Sequence, residues 1–115
     1  MPRLNHVSLT VADREVSAAF YGRYFGLTLR VHEDDHLLIL SDTGGSLLAL
    51  VEGEADTPVK RGTHFGFQVT NSADVVALRA TFAADGITEA EWQESGVTRV
   101  QVFDPDGYRA EVFAF

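Results

Sequence analysis

Residues 4–11, LNHVSLTV, alternate as a β-strand does: Val7, Leu9 and Val11 fall on one face, and Leu4, His6, Ser8 and Thr10 on the other. The stretch THFGFQVT at 63–70 repeats the pattern, opposing Phe65, Phe67 and Val69 to His64, Gly66, Gln68 and Thr70. The segments after these two strands match as well. Asp13 is placed to cap a helix in which Val16, Ala19, Phe20 and Tyr24 recur at helical spacing and which Gly26 stops. In the second half a helix is predicted over 72–85, with Val75, Leu78 and Phe82 on one face and Gly86 as its stop. Strands are then predicted at 27–32, 36–41 and 46–51, and again at 87–92, 98–103 and 108–113. The last pair is joined by Asp104-Pro105-Asp106-Gly107, a turn in which Pro fixes φ and Gly accepts a positive φ. A β-α-β-β-β order met twice predicts an internal duplication: one domain of two repeats, 1–57 and 58–115, with the polar segment 53–62 between them.

Composition limits what such a domain can do. At 115 residues, 45% hydrophobic and 23% charged, the chain can bury a core without disulfides or a structural metal. It has no cysteine, which excludes thiolate nucleophiles and cysteine-bound metals, so a metal would have to use His, Asp or Glu. A net charge of -8 with no basic stripe argues against a nucleic-acid partner. No apolar run approaches the ~20 residues that cross a bilayer, and the opening MPRLNHVSL lacks a secretory core; a cytoplasmic protein with no membrane partner is expected.

Strand parity brings particular side chains together. On the last strand, alternation sets Arg109, Glu111 and Phe113 opposite Ala110, Val112 and Ala114. A helix must cover the apolar face, so His6, His64 and Glu111 are expected on the face turned away from the helices. Two neutral imidazoles and one carboxylate form a facial ligand set for a divalent metal, leaving positions open for water or substrate. Ser8, Thr10, Gln68 and Gln101 share that face and could orient a ligand or a substrate oxygen. Arg99, which parity places with Gln101 and Phe103, is the obvious cation near the proposed site. His32 and His36 border the acidic turn 33–35 and are expected to be exposed.

Three runs, LNHVSLTVADREVSAAFYGRYFGLTL, GTHFGFQV and VFDPDGYRAEVF, resemble the vicinal oxygen chelate superfamily across both halves and in order. That superfamily includes glyoxalase I, type I extradiol dioxygenases, fosfomycin resistance enzymes and bleomycin resistance proteins. The resemblance implies an α+β fold of two tandem βαβββ modules forming a curved, half-open eight-stranded mixed sheet with the helices outside, in a homodimer. It implies that His6, His64 and Glu111 bind a divalent metal (Mn, Fe, Ni or Zn); in several relatives the first ligand comes from one subunit and the others from its partner. The implied activity is that of a metal-dependent lyase, isomerase, dioxygenase or transferase that binds vicinal oxygens of a small substrate and stabilises an oxyanion. The rival is a metal-free protein that sequesters a drug, as bleomycin resistance proteins do, in a groove furnished by Trp92, Phe103, Tyr108 and Phe113. A four-ligand glyoxalase I site is not expected, because aligning the two halves puts Ala49 where Glu111 stands. Glu52 falls on the wrong face unless the register shifts by one residue.

Overall fold

In the computed structural model, which describes residues 1–115, the chain divides into two compact units, Met1–Asp56 and Thr57–Phe115. The first holds β1 (His6–Val11), α1 (Arg14–Phe25), β2 (Leu29–Glu33), β3 (Leu37–Ser41) and β4 (Leu47–Glu52). The second holds β5 (Phe65–Gln68), α2 (Ser72–Ala84), β6 (Glu89–Gln93), β7 (Thr98–Phe103) and β8 (Arg109–Ala114). Each unit has one mixed four-stranded sheet, ordered β1-β4-β3-β2 and β5-β8-β7-β6. In both, the opening strand lies parallel to the closing strand and the other pairings are antiparallel. This is the predicted α+β arrangement of two βαβββ modules. No helix is long and apolar enough to cross a membrane.

The helices begin and end where the sequence signals them. The Asp13 carboxylate accepts hydrogen bonds from the Glu15 and Val16 backbone N–H groups at 2.9 and 3.3 Å, and Asn71 Oδ1 accepts from Asp74 N–H at 3.0 Å. Gly26 and Gly86 stop them at φ 72° and 73°, in the left-handed region that favours glycine. The stripe of α2 is as predicted: Val75 and Phe82 are buried against the β7–β8 side of the sheet, and Leu78 is half-buried. In α1 the buried set is Ser17, Phe20 and Tyr21, while Val16 stays 50% exposed. The helix is turned toward its aromatic residues, where Phe20 meets Tyr21 edge-on at 5.0 Å and Tyr24 at 5.2 Å. Burying two rings outweighs burying one valine.

The duplication extends to the register. Val7 pairs with Leu48 as Phe65 pairs with Ala110; Ala49 pairs with Ile39 as Glu111 pairs with Gln101. The edge strands β2 and β6 carry an irregularity at the same place, between Arg30 and His32 and between Glu89 and Glu91. The turns before the closing strands agree as well. Asp42 Oδ1 accepts from Gly44 and Ser46 N–H, and Asp104 Oδ1 accepts from Asp106 and Tyr108 N–H. Strand β5 is shorter than the predicted 63–70, so His64 stands immediately before it.

Candidate functional site

Across the second sheet, residues in register from β5 to β6 form the row Gly66, Glu111, Gln101, Glu91. Alternation turns this row away from α2, because Phe65, Ala110, Val112, Val100 and Val102 occupy the helix side. The equivalent row of the first sheet is Ser8, Ala49, Ile39, His32. Two copies of one backbone therefore carry different chemistry, and the charged set lies in the second.

Glu111 Oε1 is the centre of that set. It accepts hydrogen bonds from Arg99 Nη1 at 3.0 Å and from Gln101 Nε2 at 3.1 Å, and His64 Nε2 stands 3.8 Å away. Arg99 also donates through Nη2 to Glu91 Oε1 and through Nε to Gln93 Oε1, each at 3.1 Å. Glu91 gathers two further guanidinium groups, Arg61 at 2.8 Å and Arg109 at 3.6 Å. His64, Glu111, Gln101, Arg99, Glu91 and Arg61 line an open cavity of about 360 Å³.

Three guanidinium groups thus meet two carboxylates, a locally cationic place in a chain of net charge -8. Hydrogen bonds from Arg61 and then Arg99 hold the Glu91 carboxyl down at about 2. For Arg99, partial burial opposes the charge, but the hydrogen bonds to Glu111 and Glu91 outweigh it and raise its pKa. Both groups are therefore ionised throughout the physiological range.

Three observations bear on whether a metal ion suits these residues. Donors 3.8 Å apart, as His64 Nε2 and Glu111 Oε1 are, can share one ion, because each metal–ligand bond is about 2.1 Å long. Gly66 keeps the space beside the carboxylate open, since a Cβ there would lie 3.4 Å from Glu111 Oε2 and 3.1 Å from Phe113 Cε1. Gln101 Oε1 is buried with no hydrogen-bond partner, an acceptor free for a proton on a bound water or ligand. The donor set is nitrogen and oxygen only, which matches borderline and hard divalent ions. His64 and Glu111 thus supply two donors suited to one such ion, and the chain by itself brings together no group of three His, Asp or Glu side chains that could hold a metal.

Of the other residues singled out in the sequence, His6, Ser8 and Thr10 lie on β1 in the first unit. His6 is exposed, with Nδ1 3.2 Å from Asn5 Oδ1. In the second unit Gln68 is exposed and pairs with Phe113, and Phe103 lies beneath Arg109, 5.1 Å from guanidinium carbon to ring centre. Tyr108 is buried, with alternation setting it on the side of Ala110 and Val112, and Trp92 is half-buried beneath Arg79 at 4.1 Å. His32 and His36 are exposed, and His32 Nε2 lies 2.8 Å from Asp34 Oδ2. Strand parity does not pick out Glu91 or Arg61 as members of the site. The irregularity at Glu89/Glu91 breaks the alternation that would have placed Glu91, and Arg61 lies outside any strand.

The profile of the Glyoxalase/Bleomycin resistance protein/Dioxygenase superfamily matches residues 3–112. The trivalent organoarsenical cleaving enzyme of Bacillus sp. (strain MD1) is 29% identical over 116 residues, covering 94% of this chain and 70% of that enzyme. A possible glyoxalase from Bacillus cereus superposes with a TM-score of 0.81 at 25% identity, covering 96% of each chain. Lactoylglutathione lyase from Agrobacterium tumefaciens gives 0.76 at 25% identity over 97% of this chain and 92% of that one. The fosfomycin resistance protein FosX of Listeria monocytogenes, in complex with Mn(II) and sulfate, shares the fold at a TM-score of 0.84 and 19% identity, over 99% of this chain and 90% of its own. With its two βαβββ modules and a match over nearly its whole length, the chain belongs to the glyoxalase/bleomycin resistance protein/dioxygenase superfamily, the vicinal oxygen chelate group.

Proposed function

We propose that the protein is a metal-dependent enzyme that binds adjacent oxygens of a small substrate, with His6, His64 and Glu111 as the metal ligands. The observation that carries this reading is the pair His64 Nε2 and Glu111 Oε1, 3.8 Å apart beside a glycine that leaves their approach open. Because His64 and Glu111 belong to one unit and no third donor joins them there, the reading includes a homodimer in which His6 comes from the partner subunit. A cytoplasmic location goes with it.

A divalent ion, Mn, Fe, Ni or Zn, would supply Lewis-acid stabilisation of an oxyanion. The chain's own residues do the rest. Glu111 presents its carboxylate from β8, and His64 stands immediately before β5, the strand paired to β8, which sets the two donors side by side. Gln101 Nε2 orients the Glu111 carboxylate by donating to Oε1, leaving Gln101 Oε1 to accept a proton-bearing group of the substrate or a bound water. Arg61 and Arg99 favour an anionic or electron-rich substrate.

The drug-sequestering alternative draws less support. Three guanidinium groups line or border this cavity, and they repel the cationic ligand that the overall acidity would otherwise suit. Cleavage of a trivalent organoarsenical, the activity in the name of the 29% identical relative, is not part of the proposal, since this chain has no cysteine to offer a soft arsenic centre.

The test is the metal content of untagged protein, as isolated and after incubation with each ion, for wild type, His64→Ala and His6→Ala. Stoichiometric metal in wild type that is lost in both variants is expected. Wild-type protein that stays metal-free after every incubation refutes the reading.

A further inference from the structure

We infer that Arg99 is the resident counter-cation of Glu111, released by metal binding to hold an anionic oxygen ligand, so that metal and anion bind with positive coupling. The inference rests on the metal site proposed for His64 and Glu111 and adds a role for a residue outside the ligand set.

Three features of the cavity lead to it. First, the oxygen that a metal would share with His64 is already taken: Glu111 Oε1 accepts from Arg99 Nη1 at 3.0 Å. A divalent cation on that oxygen and a guanidinium hydrogen-bonded to it are like charges at short range, which favours release of Arg99 Nη1. Second, Arg99 has somewhere to stay. Its Nη2 and Nε are held by Glu91 and Gln93, which keep the guanidinium in the cavity with the Nη1 edge newly free. A free guanidinium edge beside a cation is suited to a small oxyanion such as a carboxylate, phosphonate or sulfate.

Third, the local charge cannot be balanced from within. Glu91 already serves Arg61 and Arg109 as well as Arg99, so one carboxylate would face three guanidinium groups once Glu111 is committed to the metal. The unpartnered, fully buried Gln101 Oε1 points independently to a ligand that brings a donor of its own. A monoprotonated oxyanion or a hydroxy acid meets both demands, whereas a neutral dicarbonyl meets neither. Substrate class therefore follows from Arg99: an oxygen chelator with a negative charge one guanidinium's reach from the metal.

Coupling is reciprocal, so it can be read from metal affinity with no turnover. Mn(II) binding is followed by loss of the free-ion electron paramagnetic resonance signal, using untagged protein, in chloride and in sulfate at equal ionic strength. For wild type, sulfate is expected to tighten Mn(II) binding about tenfold, in the lower part of the usual range of coupling between sites. Arg99→Gln is expected to bind Mn(II) about tenfold more tightly than wild type in chloride and to lose the sulfate effect. Arg99→Lys keeps the charge without the fork; it should match wild type in chloride and show less than half its sulfate response. Circular dichroism confirms that each variant is folded. Equal or weaker Mn(II) binding by Arg99→Gln in chloride, or a sulfate effect that survives in it, overturns the inference and leaves the metal site standing. If wild type binds no Mn(II) in either salt, the metal site itself fails and takes this inference with it.

Discussion

Replacing Glu111 by alanine should destabilise the protein in the absence of metal, whereas removing an acid from a cluster of mutually repelling carboxylates relieves like-charge repulsion. Here the carboxylate is buried among donors. Its loss leaves Gln101 Nε2, which donates to Glu111 Oε1, unsatisfied in a fully buried place, at about 1–3 kcal/mol. It also removes one charge-assisted hydrogen bond from Arg99; that term is about 1 kcal/mol, since Arg99 is partly exposed and keeps Glu91 and Gln93. The expected total is about 2–4 kcal/mol. With roughly 4 °C per kcal/mol for a domain near this size, Tm should fall by about 8–16 °C. Glu111→Gln keeps an acceptor of the same shape and should cost only about 1 kcal/mol. Urea unfolding with chelator present, at matched protein concentration in case subunits associate, measures the difference as a shift in midpoint at constant m. A Glu111→Ala variant as stable as wild type, or more so, refutes the claim that this carboxylate is held by its neighbours.

Other perturbations test the fold and its charges. Phe82→Ala in α2 removes a ring that is 2% exposed and should cost about 3–5 kcal/mol in the same urea assay. Asp13→Ala removes the acceptor for two backbone N–H groups at the start of α1 and should cost about 1 kcal/mol, whereas Asp13→Asn should cost less. Arg61 and Arg99 lower the Glu91 pKa to about 2 from its ordinary 4.5, so its contribution to stability is complete above 4.5 and is lost as pH falls through about 2. A carboxyl carbon-13 titration should accordingly place its midpoint near 2, and Glu91→Gln should flatten the acid limb of the stability curve between these values. A midpoint near 4.5 would show that the guanidinium groups do not hold it in solution.

Much of this architecture was legible in the sequence because it is written in short-range rules. Asp13, Gly26 and Gly86 mark helix ends through backbone hydrogen bonds and a left-handed φ, both local properties. Alternation in β7 and β8 correctly placed Gln101, Arg99 and Glu111 on one face, since those strands run without interruption. Alternation gives no such placement at β6, where one extra residue between Glu89 and Glu91 reverses which side chains face the cavity. Glu91 was therefore invisible to pattern reading. Helix α1 shows a different limit. Its sequence offers two overlapping apolar stripes, and the choice between Val16 and Tyr21 depends on what the sheet presents to it, which is tertiary information. The hold of Arg99 on Glu111 lies beyond periodicity altogether, because parity says that two residues share a face and not that they bond.

The irregularity in β6 has a twin in β2, and the two sheets share a register residue for residue, yet only one carries the ion-pair row. Scaffold and chemistry are thus separable in this chain: the first sheet is a natural control in which Ser8, Ala49, Ile39 and His32 fill the places of Gly66, Glu111, Gln101 and Glu91 without disturbing the strands. That leaves Ala49 and Ile39 of the first sheet as ground for change: substitutions there can be accepted, by evolution or by design, on packing alone, while the duplicated backbone keeps ready the geometry that a second carboxylate and amide would need.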